Sequence, residues 1–574
     1  MLKSFSNVED TVLSGMSLQF KSRRYATEAV LFALVVLIGL ARVSAARHLI
    51  NPDGISYLDL GDAYLRGDWS AAINGYWSPL SPVLFGLALK ILRPSPALEF
   101  PVVHYVIFGI YIAALLCFRF FWKNLIHYHA AQRRDYDSQG LAQLPEPVWI
   151  AFGYAIFLVS CVEFINLEYI GADMSVTAIV YLAAGVLLRI RRGPVSWKLY
   201  FLFGILLGFA YLAKAVMLPL SGAFILASLR FSAGWRRMLC YVASVLAGLI
   251  LITTPYIGAL SKHYGHLTYS ESRDLMYAFN VDGIPFWWAG DDPPGFGHPI
   301  HPRTRIFENP PAYTFEGSPR GTYPGWYEPP YWLAGLQTRF NLRGQLFRLK
   351  VDGQILFDIF FGAFQVGFVI SALVWYLFGA DRFCVLPGLL RQWFFFLPLL
   401  AAIAIYWPIW VDPRYIAPFL GLFWAGIFCG VRMPDSPQSR RLLLSTAAAV
   451  VPVTFLLVLV STAAAFDRIG NIPVQFRVAD YLHQIGVRPG DRVGAVGRVM
   501  ECGWARLARV QITTEINHGS DTAFRTSAAP VRSAVVAAMF RTGIRAIVSD
   551  SREDSGCPSN WHAVDSTGFY VCAP

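Results

Sequence analysis

The sequence predicts a mostly α-helical, polytopic membrane protein of about eleven transmembrane helices, with surface helices in its first outer loop and a small C-terminal α/β domain outside the cytoplasm. Three observations lead there. Hydrophobic residues make up 55% of the 574 and charged residues only 15%, against roughly 25% charge in soluble domains. Apolar runs of spanning length recur along the chain. Basic residues fall on alternate connections between those runs, the pattern left when Lys and Arg stay in the cytoplasm.

A helix needs about 20 apolar residues to cross a bilayer, and such runs fall near 27–48, 101–122, 147–165, 173–190, 198–213, 215–230, 238–260, 354–378, 392–409, 415–431 and 442–464. The first follows a polar leader, and Val43-Ser44-Ala45 resembles a signal-peptide cleavage site. The long leader, the long apolar run and the spans that follow favour a retained anchor. With Lys21, Arg23 and Arg24 placed in the cytoplasm, the same-side connections carry Lys123/Arg133/Arg134, Arg189/Arg191/Arg192, Arg230/Arg236/Arg237, Arg382/Arg391 and Arg432/Arg440/Arg441. This topology accounts for the excess of 48 Lys+Arg over 37 Asp+Glu without a nucleic-acid partner, for which no basic soluble domain is present.

Residues 1–465 then form a membrane domain with outer loops at 49–99 and 261–352, and 466–574 an extracytoplasmic domain. In a bacterial cell this is a multi-pass inner (plasma) membrane protein whose loops and tail face the periplasm or exterior. In the tail, "FRVADYLHQIGVRPGD" reads as helix then turn, "RVGAVG" as a strand, "APVRSAVVAAMFRTG" as a helix and "IRAIVSD" as a strand, a partly parallel α/β arrangement. It lacks GxGxxG, so a packing or lid role is the plainer reading. An oxidising compartment permits a disulfide, with Cys557–Cys572 the first choice and Cys502 the remaining tail cysteine.

The ionisable residues outside the basic connections collect on one side. Asp53, Asp59, Asp62 and Asp68 follow span 1. Glu163, Asn166, Glu168 and Asp173 surround the turn between spans 3 and 4. Lys214 lies between spans 5 and 6, Asp358 near the outer end of span 8, and Asp412 and Arg414 in "WVDPRY" between spans 9 and 10. Charge near hydrocarbon is costly and usually functional. A transporter places polar groups or broken helices near the midplane. Convergence at one interface suits an enzyme whose substrate has a polar head at the surface and a tail in lipid. Carboxylates serve as general base, bind sugar hydroxyls or hold a divalent cation; Lys and Arg grip phosphate; Trp69, Tyr76, Trp77, Trp287, Trp288, Trp326, Tyr327, Tyr331 and Trp332 offer faces for sugars. A transporter or lipid flippase and a non-catalytic envelope assembly protein are the competing classes.

Each residue also has a plainer reading. Asp53 can cap a surface helix, and Asp173 can cap span 4. Asp59, Asp62 and Asp68 suit a solvated face. Lys214 can snorkel, Arg414 can pair locally with Asp412, and the aromatics can form an interfacial belt. His298 and His301 lack an obvious third metal ligand, and Arg303 and Arg305 beyond them can reach a phosphate or solvent.

"NPDGISYLDLGDAYLRGDW" with "GYWSPLSPVLFGL", then "YIGADMS", "GFAYLAKAVMLPL" and "DPRYIAPFLGLFWAGIF" occur in an order that resembles the GT-C superfamily of membrane glycosyltransferases, nearest the protein O-mannosyltransferase and lipid A aminoarabinose transferase branch. The resemblance covers roughly residues 27–430. It implies inverting transfer of a sugar from a polyprenyl-phosphate donor to a glycan, lipid or protein acceptor. By position, Asp53 would be the catalytic base. Asp173, with Glu168, Tyr57 and Trp77, would contact donor or acceptor. Lys214, Arg414 and Tyr415 would face the lipid phosphate, joined by Arg303 or Arg305. Many members carry a second acid beside the first; here Gly54 stands in that place, which leaves metal use open.

Overall fold

The computed structural model describes residues 26–134, 145–193, 196–229, 234–286, 290, 295–315, 320–378, 385–431, 433, 436–469, 473–553 and 556–574. Lys21, Arg23, Arg24, Arg230, Arg382, Arg432, Trp287 and Trp288, and the side chains of Arg133 and Arg134, lie outside them.

Each apolar run is helical over most of its described residues. Among the described residues, six helices are long and apolar enough to cross a membrane: Ala26–Ala46, Pro96–Ala131, Glu146–Phe164, Asp173–Arg192, Trp235–Tyr264 and Pro437–Asp467. Leu342–Phe361 and Val366–Leu377 meet at 68° and make a seventh if counted as one span. Trp197–Ala213, Met217–Ser228 and Trp393–Tyr406 are shorter apolar helices. At 1.5 Å per residue, the 12 residues of Met217–Ser228 reach about 18 Å, well short of the hydrocarbon thickness. By length and composition, six or seven of the expected eleven spans meet the test for crossing among the described residues. Close packing among these helices relies on small residues. A Cβ at Gly204 would lie 2.0 Å from the carbonyl oxygen of Val245, and one at Gly248 2.3 Å from that of Phe201, so Trp197–Ala213 and Trp235–Tyr264 meet backbone to backbone.

The first outer loop opens with the helix Pro52–Arg66. Proline stands at its start, Asp53 lies in its first turn, and Gly67 at φ 74 ends it by donating to the carbonyls of Ala63 and Tyr64. The N-cap residue is Asn51, so Asp53 does not cap this helix. Asn51 uses its side chain elsewhere: Oδ1 accepts from Ile170 N at 2.9 Å and Nδ2 donates to Ile170 O at 3.3 Å. The turn that presents Ile170 follows a π-helical segment, Val159–Phe164, and passes through Asn166 at φ 60, a conformation asparagine tolerates better than most residues.

Among the described residues there is a seven-stranded sheet, centred on the C-terminal region and ordered β1-β2-β4-β3-β5-β7-β6: β1 Thr304–Phe307, β2 Ala312–Thr314, β3 Arg492–Gly497, β4 Gln511–Asn517, β5 Ile547–Ser549, β6 His562–Ala563 and β7 Tyr570–Cys572. The expected helices and two strands are present, as Val474–Gln484, Ala529–Arg541, β3 and β5. The parallel core is β4-β3-β5, and the remaining pairs are antiparallel. Strands β1 and β2 come from the 261–352 loop, so the sheet is built from both sides of the 465/466 boundary. Cys557 and Cys572 form a disulfide. Cys502 is a buried free thiol.

Two buried arginines tie this assembly together and a third pairs among the membrane helices, correcting the surface reading of several acids. Arg506, with its side chain 4% exposed, reaches Asp59 at 2.8 Å, Asp62 at 2.6 Å and Glu99 at 2.7 Å. Asp59 also accepts from Thr322 N at 2.6 Å and Thr322 Oγ1 at 2.9 Å. Asp59 and Asp62 are therefore not a solvated face: they hold the tail onto the first loop. Burial raises the Asp59 carboxyl above its ordinary value, against the pull of Arg506 and Thr322. Arg303 makes a 2.6 Å pair with Glu515, both side chains essentially inaccessible, and donates to Phe286 O at 2.8 Å. Arg42, inside the first span, pairs with Glu168 at 3.1 Å, since a buried cation needs a counter-charge.

Candidate functional site

Four segments far apart in the chain bring charges together. Asp53 comes from the first loop, Asp173 from the start of Asp173–Arg192, Lys214 from the C-cap of Trp197–Ala213, and Arg414 from the first turn of Pro413–Gly430. Lys214 Nζ lies 2.6 Å from Asp173 Oδ1. Arg414 Nη1 lies 3.8 Å from Asp53 Oδ2 and 3.8 Å from Asp173 Oδ2. Those two distances exceed hydrogen-bond length, so the guanidinium sits between the acids without being closed onto either. It is fixed from behind, where its Nε meets Asp412 Oδ2 at 3.2 Å. The local pairing with Asp412 and the long-range pairing coexist.

Aromatics frame the cluster. Lys214 Nζ stands 3.6 Å above the centroid of Tyr415, which stacks on Tyr406 at 4.9 Å. Arg414 lies over Tyr169 at 5.4 Å. Trp326 Nε1 donates to Asp53 Oδ1 at 3.2 Å. Behind Trp326, Trp77 packs edge-on at 5.7 Å and Tyr57 packs against Trp77 at 5.2 Å. Trp77 Nε1 and Ser56 Oγ both donate to Trp326 O, at 3.2 and 3.0 Å. Tyr57 and Trp77 are thus buried supports for Trp326.

Electrostatics suit proton acceptance. The Asp53 side chain is 25% exposed. Desolvation raises its carboxyl above the ordinary aspartate value; Arg414 and Trp326 pull it down, and Asp173 pushes it up again. Desolvation lowers Lys214, and Asp173 opposes that. Asp173 is not a cap: the N-cap is Ala172, with no side-chain capping bond.

Gly54 explains its own identity. A Cβ there would lie 2.9 Å from Ile170 Cβ, so the first-loop helix touches the Asn166–Asp173 turn and leaves no room for a second acid. Among the described residues no group of three or more His, Cys, Asp or Glu is placed to hold a metal. Between Asp53 and Asp173 the structure has Arg414, which occupies the place a cation shared by the two acids would take. The donor set does not fit a divalent ion.

Of the sequence-predicted residues, Asp53, Asp173, Lys214, Arg414 and Tyr415 come together. Glu168 is committed to Arg42 and Arg303 to Glu515. Arg305 lies on β1, 3.1 Å from Glu308, and His301 stacks on Tyr331 at 4.0 Å. Sequence reasoning missed the roles of Trp326, Asn51 and Tyr169. Trp326 meets Asp53 across 273 positions, a contact with no local signal.

No protein-family profile matches the chain, and no curated protein matches it. Among solved structures, it is similar to ArnT from Cupriavidus metallidurans in the apo state, with TM-score 0.51 and 14% identity over 95% of this chain and 97% of that one. ArnT bound to undecaprenyl phosphate gives TM-score 0.53 and 13% identity over the same shares. The Archaeoglobus fulgidus oligosaccharyltransferase in the apo form aligns at TM-score 0.47 and 12% identity, over 91% of this chain and 69% of that one. The likeness to ArnT is one of fold.

Proposed function

We propose that this chain is an integral membrane glycosyltransferase that moves a sugar from a polyprenyl-phosphate donor to an extracytoplasmic hydroxyl acceptor. The observation that carries the reading is Arg414 Nη1 standing 3.8 Å from both Asp53 and Asp173, beside Lys214, in a fold shared with a protein crystallised with undecaprenyl phosphate.

The donor's tail lies in the bilayer and its phosphate meets Lys214 and Arg414, two cations held at the outer ends of separate helices. Asp53, oriented by the Trp326 N–H, takes the proton of the acceptor hydroxyl. That oxygen forms a bond to the anomeric carbon as the bond from that carbon to the phosphate oxygen breaks, and the electron pair leaves on the phosphate, where Arg414 and Lys214 stabilise it. One displacement inverts the anomeric centre. A raised Asp53 pKa makes the carboxylate a better base near neutrality than an ordinary aspartate. The active side faces the periplasm or exterior of a plasma membrane.

Protein reconstituted with a radiolabelled polyprenyl-phosphate sugar tests this. Asp53→Asn should lower transfer by about 10²–10⁴-fold, the usual scale of general-base catalysis, with expression and melting temperature retained. Transfer at the wild-type rate in that variant would remove Asp53 as the base.

A further inference from the structure

The C-terminal domain contains a second cleft that the transfer site does not use. Chain order and sheet order differ in its parallel core. From β3 the chain crosses to β4 on one side, then passes back over to β5 on the other. In open α/β sheets, ligands bind outside the carboxyl ends of the strands at this kind of switch point. The structure has a cavity of about 360 Å³ there, within the roughly 300–1,000 Å³ range of small-molecule sites. It is lined by residues just past the ends of all three strands: Arg498 and Glu501 after β3, His518 and Asp521 after β4, Asp550 and Ser551 after β5. Gln511, at the other end of β4, lines a different cavity together with Asp59 and Arg506. The two cavities are separated by the length of the strand, about 20 Å for its residues.

The floor of the cleft is an ion-pair network. Arg525 is held by Asp521 at 2.6 Å, Asp550 at 3.0 Å and Glu553 at 3.0 Å. Asp550 Oδ2 also accepts from Arg498 N at 2.7 Å. That contact requires Gly497, at φ 99, because a Cβ would lie 2.1 Å from Asp550 Oδ1. The rim is open, with Arg498, Glu501 and His518 side chains 61%, 56% and 70% exposed. Phe569 supplies an apolar wall.

We infer that this cleft binds a saccharide of one or two residues. The lining alternates donors and acceptors with nearly balanced charge. A phosphate would face Glu501, Asp521 and Asp550, and a metal ion would face Arg498 and Arg525. Sugar hydroxyls donate and accept at once, so they suit both sets, and the C–H face of a pyranose suits Phe569. The site stands apart from the transfer chemistry and does not rest on it.

Saturation-transfer NMR on the full-length protein in a sugar-free detergent tests the inference, with methyl α-D-mannopyranoside, methyl β-D-galactopyranoside and methyl α-D-glucopyranoside as probes. At least one should receive saturation from the wild type. Glu501→Gln/Phe569→Ala should weaken that binding by at least tenfold with the fold intact by circular dichroism, and Asp53→Asn should leave it unchanged. The inference fails if none of the three probes binds, if the double variant binds as well as the wild type, if Asp53→Asn abolishes binding, or if equimolar inorganic phosphate displaces the glycoside.

Discussion

One helix, Pro52–Arg66, carries acids at both ends of its buried face, and the two ends are put to opposite uses. At its C-terminal half, Asp59 and Asp62 meet Arg506 at 2.8 and 2.6 Å, and Thr322 satisfies Asp59 further. This is a closed network. At its first turn, Asp53 meets Arg414 only at 3.8 Å and receives one indole N–H. A closed buried network holds parts together and breaks expensively. An open one keeps its charge available to something else. Residue type does not separate the two uses; the number and closeness of partners does.

Mutations that break this contrast should separate by readout. The largest effect is the loss of transfer in Asp53→Asn described above, about 3–5 kcal/mol of activation energy across that range, with unchanged stability. Arg506→Met should do the reverse. It takes the buried cation away from Asp59, Asp62 and Glu99, leaving Arg509 as the partner of Glu99, and should cost about 3–5 kcal/mol of stability, read as a lower melting temperature and faster proteolysis of the tail. An Arg506 variant as stable as the wild type would show that the closed network contributes nothing. Lys214→Met should weaken donor binding by about 10–100-fold, the worth of a charge-assisted hydrogen bond; equal affinity for a polyprenyl phosphate would exclude Lys214 from the phosphate site.

The pH dependence sharpens the same comparison. A base must be ionised to act, so transfer should fall as pH drops through the Asp53 pKa. That limb should lie above the ordinary aspartate range, because burial raises the group. Arg414 opposes the rise, so Arg414→Gln should move the limb to still higher pH, and an unmoved limb would mean that another group controls it. The smallest effect belongs to Arg305→Ala. Its pair with Glu308, whose side chain is 85% exposed, should be worth under about 1 kcal/mol, and neither donor affinity nor stability should change measurably.

Much of this was legible in the sequence, for identifiable reasons. Apolar run length marks the long membrane helices but does not tell them from the shorter apolar ones, and the break at Lys214 is visible as a charge between two runs. Asp53, Asp173, Lys214 and Arg414 stood out because each is a charge at the same edge of hydrocarbon, where desolvation makes it costly. Long-range pairing was not legible. Nothing local distinguishes Asp59, clamped by Arg506, from a solvated acid three residues before another. Arg303 looked like a phosphate ligand because its partner Glu515 lies 212 residues away. Strands β1 and β2 were hidden for the same reason: they are short, and they become strands by pairing with β4 from the tail.

The side chain of Asn51 grips both the N–H and the C=O of Ile170, two residues before Asp53 and three before Asp173. Both carboxylates are therefore mounted on a single jaw, and their spacing is set before any substrate arrives. Trp326 is tied to the same jaw through its carbonyl, which accepts from Ser56 Oγ, so whatever breathing admits a bulky lipid-borne head group falls to the opposite side, where Arg414 belongs to another segment.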